Sequence, residues 1–264
     1  MNASLRILRW VGHEIRRLAA DRLVAGLVVF GGGVVLILLA IAPADAAAPA
    51  APYETWARSL REPAPLLSLV AGMIGANWVG GDLGYGILRQ GILGGATRRE
   101  LLMVRVLTIP VVALALAVTQ LVAGFAAALL SQGVALPAPD GAGWGLLLLH
   151  VARLSGLVAL GAVFGAILRS PLLAVIAFLA WAILVEPGAR VLARPAAPAI
   201  EYALPAHAFS SLGADPGARE MRVMSPGGAV RRVDPPRPRH PALPLVHGVL
   251  LSAILAWRIL RKDL

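Results

Sequence analysis

The sequence predicts an all-α membrane protein with six transmembrane helices, preceded by an N-terminal amphipathic helix at the membrane interface. Of its 264 residues, 58% are hydrophobic and only 14% are charged, and the mean hydropathy is +0.78. So few charged side chains cannot cover the surface of a water-soluble protein. Several long charge-free runs provide the length needed to cross about 30 Å of hydrocarbon as a helix. These runs are 23–44, 63–81, 106–139, 154–168, 170–185 and 240–257.

Residues 1–22 form the predicted amphipathic interfacial helix. At about 100° per residue, its apolar and polar side chains fall on two opposite arcs. The apolar arc holds Ile7, Leu8, Val11, Ile15, Leu18 and Ala19, and the polar arc holds Arg6, Arg9, His13, Glu14, Arg16, Arg17 and Asp21. A helix of this kind lies in the membrane interface with its arginines directed toward anionic lipid.

Residues 23–264 form the predicted six-span transmembrane domain. Its spans are 23–42, 66–82, 101–131, 144–168, 172–190 and 242–257. Spans two and three are separated by 83–100, the most polar interior stretch of the chain. A hydrophilic segment, 191–241, separates spans five and six, and its many prolines favour irregular, extended structure over a packed helical domain.

The distribution of basic residues predicts the orientation. An even number of spans puts both termini on one side, and that side carries thirteen Arg and Lys residues in short loops. Such an excess of basic residues marks the cytoplasmic side of a membrane protein. The opposite side carries about ten, mostly in 191–241, where acidic residues nearly balance them. The sequence therefore predicts that both termini are cytoplasmic.

Composition also excludes several kinds of chemistry. The chain has no Cys, and so it has neither disulfides nor thiolate metal sites. Its single Lys, Lys262, lies three residues from the C-terminal end of the sequence, which excludes a phosphate loop ending in Gly-Lys-Ser/Thr. The net charge of +10 is explained by basic cytoplasmic loops rather than by a nucleic-acid surface.

The segment 82–105, DLGYGILRQGILGGATRRELLMVR, contains a recognisable local pattern. Thr97 and Glu100 have the spacing of a capping box, in which each side chain satisfies a free amide at the start of a helix. Upstream, ILRQGIL is long enough for a short helix and is bracketed by Gly86 and by the glycines at 94–95, which permit sharp turns. The pattern predicts a short helix, a reversal and a capped helix.

This segment resembles the cytoplasmic loop between spans two and three in the membrane (permease) subunits of type 2 ABC exporters. The matching positions are Asp82 for the first acidic residue, Gly86 for the glycine, Thr97-Arg98 for a Ser-Arg pair, Glu100 for the second acidic residue, Leu101-Leu102 for two leucines and Arg105 for the final basic residue. The family more often has Glu, Thr, Pro and Lys where this chain has Asp82, Ile87, Gly95 and Arg105. Gly95 is expected to loosen the turn.

The resemblance implies a function for the loop. It would be the ATPase-coupling loop, comprising Asp82, Gly86, Arg89, Thr97, Arg98, Arg99, Glu100 and Arg105. The partners would be a cytoplasmic ABC ATPase, which binds ATP and Mg²⁺, and a second permease copy, identical or homologous. This chain itself would be a transport subunit of the bacterial inner membrane, with no cofactor, no metal and no catalytic residue. The resemblance does not specify the transported substrate, because exporters of lipids, drugs, peptides, polysaccharides and ions share these features.

Three polar residues within the predicted spans stand out. His150 and Arg153 lie one helical turn apart in span four, with Arg153 about 13 Å below the outer surface. An intramembrane Arg faces protein or water rather than lipid. Glu186 in span five is its expected partner, either in a structural ion pair or beside a site for an anionic substrate. The spacing of Gly161 and Gly165 indicates close helix packing, with a dimer face as one option.

Two alternative functions remain open at the level of sequence. A membrane-embedded protease would need a Ser and a His linked by a recognisable motif, or a His-Glu-x-x-His motif. His13-Glu14 begins the second motif, but Arg17 stands where that motif needs His. Paired carboxylates for glycosyl transfer are missing from the predicted cytoplasmic loops. The other alternative is a non-transporting membrane scaffold or assembly factor.

Overall fold

The computed structural model describes residues 3–41, 60, 64–132, 141–193, 205, 209, 221–224, 230–233 and 243–260. Its elements are α1 (Ala3–Ala20), α2 (Arg22–Ile41), α3 (Ala64–Gly84), α4 (Ile87–Leu93), α5 (Arg98–Gln132), α6 (Gly141–Leu168), α7 (Pro171–Ala180), a π-helical turn (Trp181–Val185), α8 (Glu186–Ala193), β1 (Met221–Met224), β2 (Val230–Val233) and α9 (Leu243–Leu260). Helices therefore occupy the ranges in which the spans were predicted. Most of the segment 43–65, which joins the first two predicted spans, and residues 261–264 lie outside the described residues.

Helices long and apolar enough to cross a membrane dominate the structure. In the part of the chain that the structure describes, these are Pro65–Gly84, Arg98–Ala127, Gly143–Leu168 and Pro171–Ala189. Helices α1 and α2 meet the same criteria only as a bent pair, and α9 contributes a shorter apolar run, Val246–Leu260. By length and composition the fold is thus compatible with a multi-pass membrane protein of four or five spans, against the six predicted.

The first two helices meet at a bend of 70°. Asp21 lies at the bend, and its Oδ1 accepts hydrogen bonds from the backbone N–H groups of Leu23 at 2.9 Å and Val24 at 3.3 Å. This is an N-cap, which satisfies amides that the first turn of α2 would otherwise leave unpaired. The cap ends the amphipathic α1 and starts the apolar α2 at the position where the sequence changes character.

Helices α3 and α6 pack through direct backbone contact. A Cβ placed on Gly161 would lie 1.9 Å from the carbonyl oxygen of Gly72, and one on Gly165 would lie 2.5 Å from the backbone nitrogen of Gly80. On the α3 side, a Cβ at Gly75 would lie 2.1 Å from the Val158 carbonyl oxygen. The small-residue stripe of α6 is therefore used within the chain, against α3, and not as a face for a second copy.

One end of the bundle, here called the base, gathers α1, α4 and the ends of four longer helices. Gly84 at the end of α3 lies so close to the turn between α6 and α7 that its Cβ would be 2.6 Å from the Arg169 carbonyl oxygen. Arg98 Nη1 at the start of α5 donates to the Leu260 carbonyl oxygen at the end of α9, at 3.5 Å. These contacts bring the predicted coupling loop and the last helix together.

Two features were not predicted from the sequence: a π-helical turn within the predicted fifth span, and a pair of short strands within 191–241. A π-helical turn precedes Glu186, because Pro187 has no N–H to donate and its ring disfavours a regular α-helical turn before it. Further on, β1 and β2 pair antiparallel with Met221 opposite Val233. Their Val and Met residues favour strands, and the sequence SPGGA between them favours a turn. The sequence favoured irregular, extended structure over 191–241; these two strands are extended and regular, and most of the segment lies outside the described residues.

Candidate functional site

Two glycine turns define the short helix α4 at the base. Gly86 precedes it with φ 68°, and Gly95 follows it with φ 88°, both in the left-handed region. The N–H of Ala96 donates to the Gly91 carbonyl oxygen and the N–H of Gly95 to that of Ile92, each at 3.0 Å. This pair of bonds is a Schellman motif. Proline, the residue the family prefers at position 95, cannot adopt that φ, and Gly95 therefore forms a hydrogen-bonded cap here rather than a loosened turn.

The capping box predicted at the start of α5 is confirmed. Thr97 N donates to Glu100 Oε2 at 2.8 Å, and Glu100 N donates to Thr97 Oγ1 at 3.2 Å. The two residues thus satisfy each other's backbone amides. Glu100 Oε1 also forms an ion pair with Arg6 Nη2 of α1 at 3.1 Å. The N-terminal end of α5 is consequently held both by its own capping box and by an ion pair with α1.

The loop around α4 presents an exposed surface of mixed character. Tyr85 is 72% exposed and Leu93 81% exposed, and Arg89 and Arg99 are also exposed. Large exposed apolar side chains next to arginines are typical of protein contact surfaces. We call this set, Tyr85, Arg89, Leu93 and Arg99, the α4 surface.

The other members of the predicted loop do not contribute side chains to the α4 surface. Arg98 is partly buried and contacts α9, and Gly86 supplies a turn rather than a contact. Asp82 and Arg105 are each only 2% exposed. The structure thus separates the predicted coupling residues into an exposed group and a buried group.

A buried ion cluster joins three helices beneath the α4 surface. Asp82 at the end of α3 contacts Arg17 of α1 through Oδ1 and Arg105 of α5 through Oδ2. Arg105 Nη1 also lies 2.8 Å from Glu14 Oε1 of α1, and Arg17 Nη2 contacts the same oxygen. The two carboxylates and the two guanidinium groups therefore alternate around a closed ring of four ion pairs. We call Glu14, Arg17, Asp82 and Arg105 the ion cluster.

Trp78 forms the apolar wall of the ion cluster. Its Nε1 donates to Glu14 Oε1, and its ring lies under Arg105 with 5.2 Å between the Arg105 Cζ and the ring centroid. A guanidinium over an indole ring gains a cation–π interaction that grows as water is excluded. Trp78 itself is 3% exposed. The ring thus helps to keep the ion pairs out of water.

Sequence reasoning missed three members of this arrangement. Glu14 and Arg17 were placed on the polar arc of α1, directed toward water and lipid, and Trp78 was treated as part of an apolar span. The structure turns Glu14 toward the bundle, with its side chain 12% exposed. The available signal was the i, i+3 spacing of Glu14 and Arg17, opposite charges that share a helix face.

A second group of polar residues lies in the far half of the bundle. His150 is 5% exposed, and its Nε2 lies 2.7 Å from Gln120 Oε1 of α5. Gln120 Nε2 donates to the Leu60 carbonyl oxygen at 3.0 Å. Because that amide oxygen accepts, the His150 Nε2 carries the hydrogen. These bonds tie α5, α6 and the segment at residue 60 together.

Arg153 and Glu186 have different partners from those predicted. Arg153 Nη2 donates to Ser68 Oγ of α3 at 3.0 Å, and Glu186 Oε2 accepts from Trp181 Nε1 at 3.1 Å. Among the described residues, no carboxylate pairs with Arg153. The structure therefore gives Arg153 and Glu186 separate partners instead of the predicted ion pair.

Comparisons with known proteins add no assignment. No family model, no curated protein and no solved structure matches this chain. The fold and the site together give a helical bundle that is compatible in length and composition with a multi-pass membrane protein, and whose base carries an exposed short helix next to a buried ion cluster.

Proposed function

We propose that this chain is the permease subunit of a type 2 ABC exporter. The observation that carries the proposal is the form of the base: α4, held between a left-handed glycine turn and a Schellman cap, presents exposed apolar and basic side chains. A seven-residue helix with such a surface suits a groove on a partner. Arginines at its rim suit carboxylates on that partner.

The ion cluster gives the proposal a mechanical route. A partner that moves α4 also moves the end of α3, which precedes it in the chain, and the start of α5, which follows it. Asp82 and Arg105 lie on those two helices, and Glu14 and Arg17 couple them to α1. Closure of an ATPase on ATP would thus shift three helices together, and the bundle would change between two packed states. Hydrolysis of ATP belongs to the partner in this proposal.

The finer topology belongs to the same proposal. We assign six spans by counting α2 and α9 with the four longer helices, and we assign α1 to the interface, with both termini in the cytoplasm of a bacterial cell. The bend at Asp21 and the gathering of α1, α4 and the end of α9 at one base support this arrangement. A second permease copy completes the transporter.

Site-directed cross-linking in the native host tests the partner. A photoreactive p-benzoylphenylalanine in place of Leu93 is expected to capture a nucleotide-binding subunit, identified by mass spectrometry. The matched control is the same photoreactive residue in place of Leu148. Leu148 is 69% exposed and lies in the half of α6 that is far from the base. If position 93 yields adducts without any ATPase, the proposal is wrong. Adducts with a protease or transferase would favour a scaffold role.

Charge reversal separates docking from folding. The variant Arg89→Glu/Arg99→Glu is expected to lose ATPase capture while it keeps its thermal stability, because both side chains are exposed. Arg98 is avoided, since it contacts the end of α9. Arg16→Glu, an exposed arginine of α1 outside the α4 surface, is the control. Equal capture by all three proteins would contradict docking through the α4 surface.

A further inference from the structure

An open cleft lies beside the bend between α1 and α2. Its volume is about 520 Å³, within the range of about 300–1,000 Å³ typical of small-molecule sites. Side chains of α1, of the bend, of α3 and of the turn into α7 line it, including Arg17, Asp21, Arg22, Asn77, Tyr85 and Pro171. The cleft therefore opens at the level where an amphipathic helix gives way to an apolar one.

The charges in the cleft balance. Arg17 and Arg22 contribute two positive charges, and Asp21 and Asp82 contribute two negative charges. Arg22 is exposed, whereas Nη1 of Arg17 is buried without a hydrogen-bond partner among the described residues. Arg17 and Asp82 already pair within the ion cluster, so Arg22 and Asp21 are the charges that remain for a ligand, and Asp21 would repel a purely anionic one. A group that carries one charge of each sign fits such a lining without net repulsion.

Apolar surface continues from the cleft along the bundle. Leu23, the residue after Arg22, is 48% exposed, and Leu172 and Leu173, which follow Pro171, are 68% and 55% exposed. Exposed leucines that flank a polar cleft in a membrane-type bundle suit acyl chains. Tyr85, exposed at the cleft mouth, has the amphipathic ring that is enriched at membrane interfaces.

We propose that this cleft binds the headgroup of a zwitterionic phospholipid, with phosphatidylethanolamine as the type. Its phosphate lies at Arg22, its ammonium group faces Asp21, and its acyl chains follow Leu23 and Leu172. A guanidinium binds phosphate through charge-assisted hydrogen bonds. A lipid in this position occupies the inner side of the α1–α2 bend and so supports the angle between the two helices. The assignment does not depend on the partner of the α4 surface.

Native mass spectrometry of the detergent-purified chain tests the site. The probes are dioleoyl phosphatidylethanolamine, dioleoyl phosphatidylglycerol and free phosphoethanolamine. The wild-type chain is expected to retain one phosphatidylethanolamine, and Arg22→Ala is expected to bind it at least about tenfold more weakly, the effect of one charge-assisted hydrogen bond. Arg22→Lys, which keeps the charge, is expected to lose less. The control is Arg16→Ala, an exposed arginine of the same helix as Arg17 that does not line the cleft.

Each remaining outcome overturns the assignment. Equal retention by Arg22→Ala and Arg16→Ala would show adventitious lipid only. Tighter binding of phosphatidylglycerol would show an anion site rather than a zwitterion site. Equal binding of free phosphoethanolamine would show a site for soluble phosphate esters. Tyr85→Ala, at a side chain too exposed to support the fold, provides a second variant, and unchanged binding by both it and Arg22→Ala would place the lipid elsewhere.

Discussion

Arg105 is the residue at the base whose replacement we expect to be most damaging. Its side chain is 3% exposed and contacts Glu14 at 2.8 Å and Asp82, with the Trp78 ring beneath it. In Arg105→Met, Arg17 alone would face two carboxylates. Removal of one partner of a buried ion pair costs about 3–5 kcal/mol, because it leaves an uncompensated buried charge. We expect the free energy of unfolding to fall by that amount.

A double variant isolates the cause. Arg105→Met combined with Asp82→Asn removes one charge of each sign and leaves Glu14 paired with Arg17. The double variant is therefore expected to recover much of the loss, which gives a coupling energy between the two sites. If the double variant is less stable than Arg105→Met, the damage comes from packing rather than from charge.

Thermal unfolding in detergent is the assay. For a chain of this size, 1 kcal/mol moves Tm by about 2–4 °C, so we expect Arg105→Met to lower Tm by roughly 6–20 °C. The control is Arg99→Ala, an exposed residue of the same helix, for which we expect a change within about 0.5 kcal/mol. If Arg105→Met is as stable as Arg99→Ala, the reasoning about the ion cluster is refuted.

Three further predictions concern other parts of the chain. Gly161→Ala is expected to cost about 1–3 kcal/mol by overpacking against α3, whereas Gly145→Ala, whose Cβ meets nothing within 4 Å, is expected to leave Tm unchanged or raise it. Arg153→Met is expected to be neutral or stabilising, since it removes a buried charge that no described carboxylate pairs; a large loss of Tm would contradict this. Single cysteines at Thr97 and Ser225 of this Cys-free chain are expected to differ in reaction with an impermeant maleimide on intact cells, with labelling only at 225; labelling at 97 would reverse the proposed orientation.

The features that sequence predicted well are local ones. The Thr97–Glu100 capping box depends on residues three positions apart, and the glycine turn at 86 depends on the φ of one residue. Both features are therefore determined by residues that are close together in the sequence. Long apolar runs predict helices for a similar reason. Gly95 shows the limit of the resemblance, because a hydrogen-bonded glycine cap replaces the proline that the family prefers.

The ion cluster could not be predicted because it is tertiary. Glu14 and Asp82 are far apart in the chain, and their proximity depends on how α1 crosses the base. The same reason explains Arg153, whose partner was chosen from charge alone, whereas packing brought Ser68 into reach. The β1–β2 pair was missed because prolines dominate the composition around it, and composition averages over eight residues that do pair.

The glycine contact between α3 and α6 has a consequence for motion. Where the glycines of α3 and α6 meet, backbone lies against backbone, and we therefore expect the two helices to tilt together rather than slide past each other. A rod acts as a lever: a tilt of about 10° over the roughly 30 Å length of α3 moves its far end by about 5 Å. A tilt that starts at the base is therefore expected to produce its largest displacement in the far half of the bundle, where His150 and Arg153 lie.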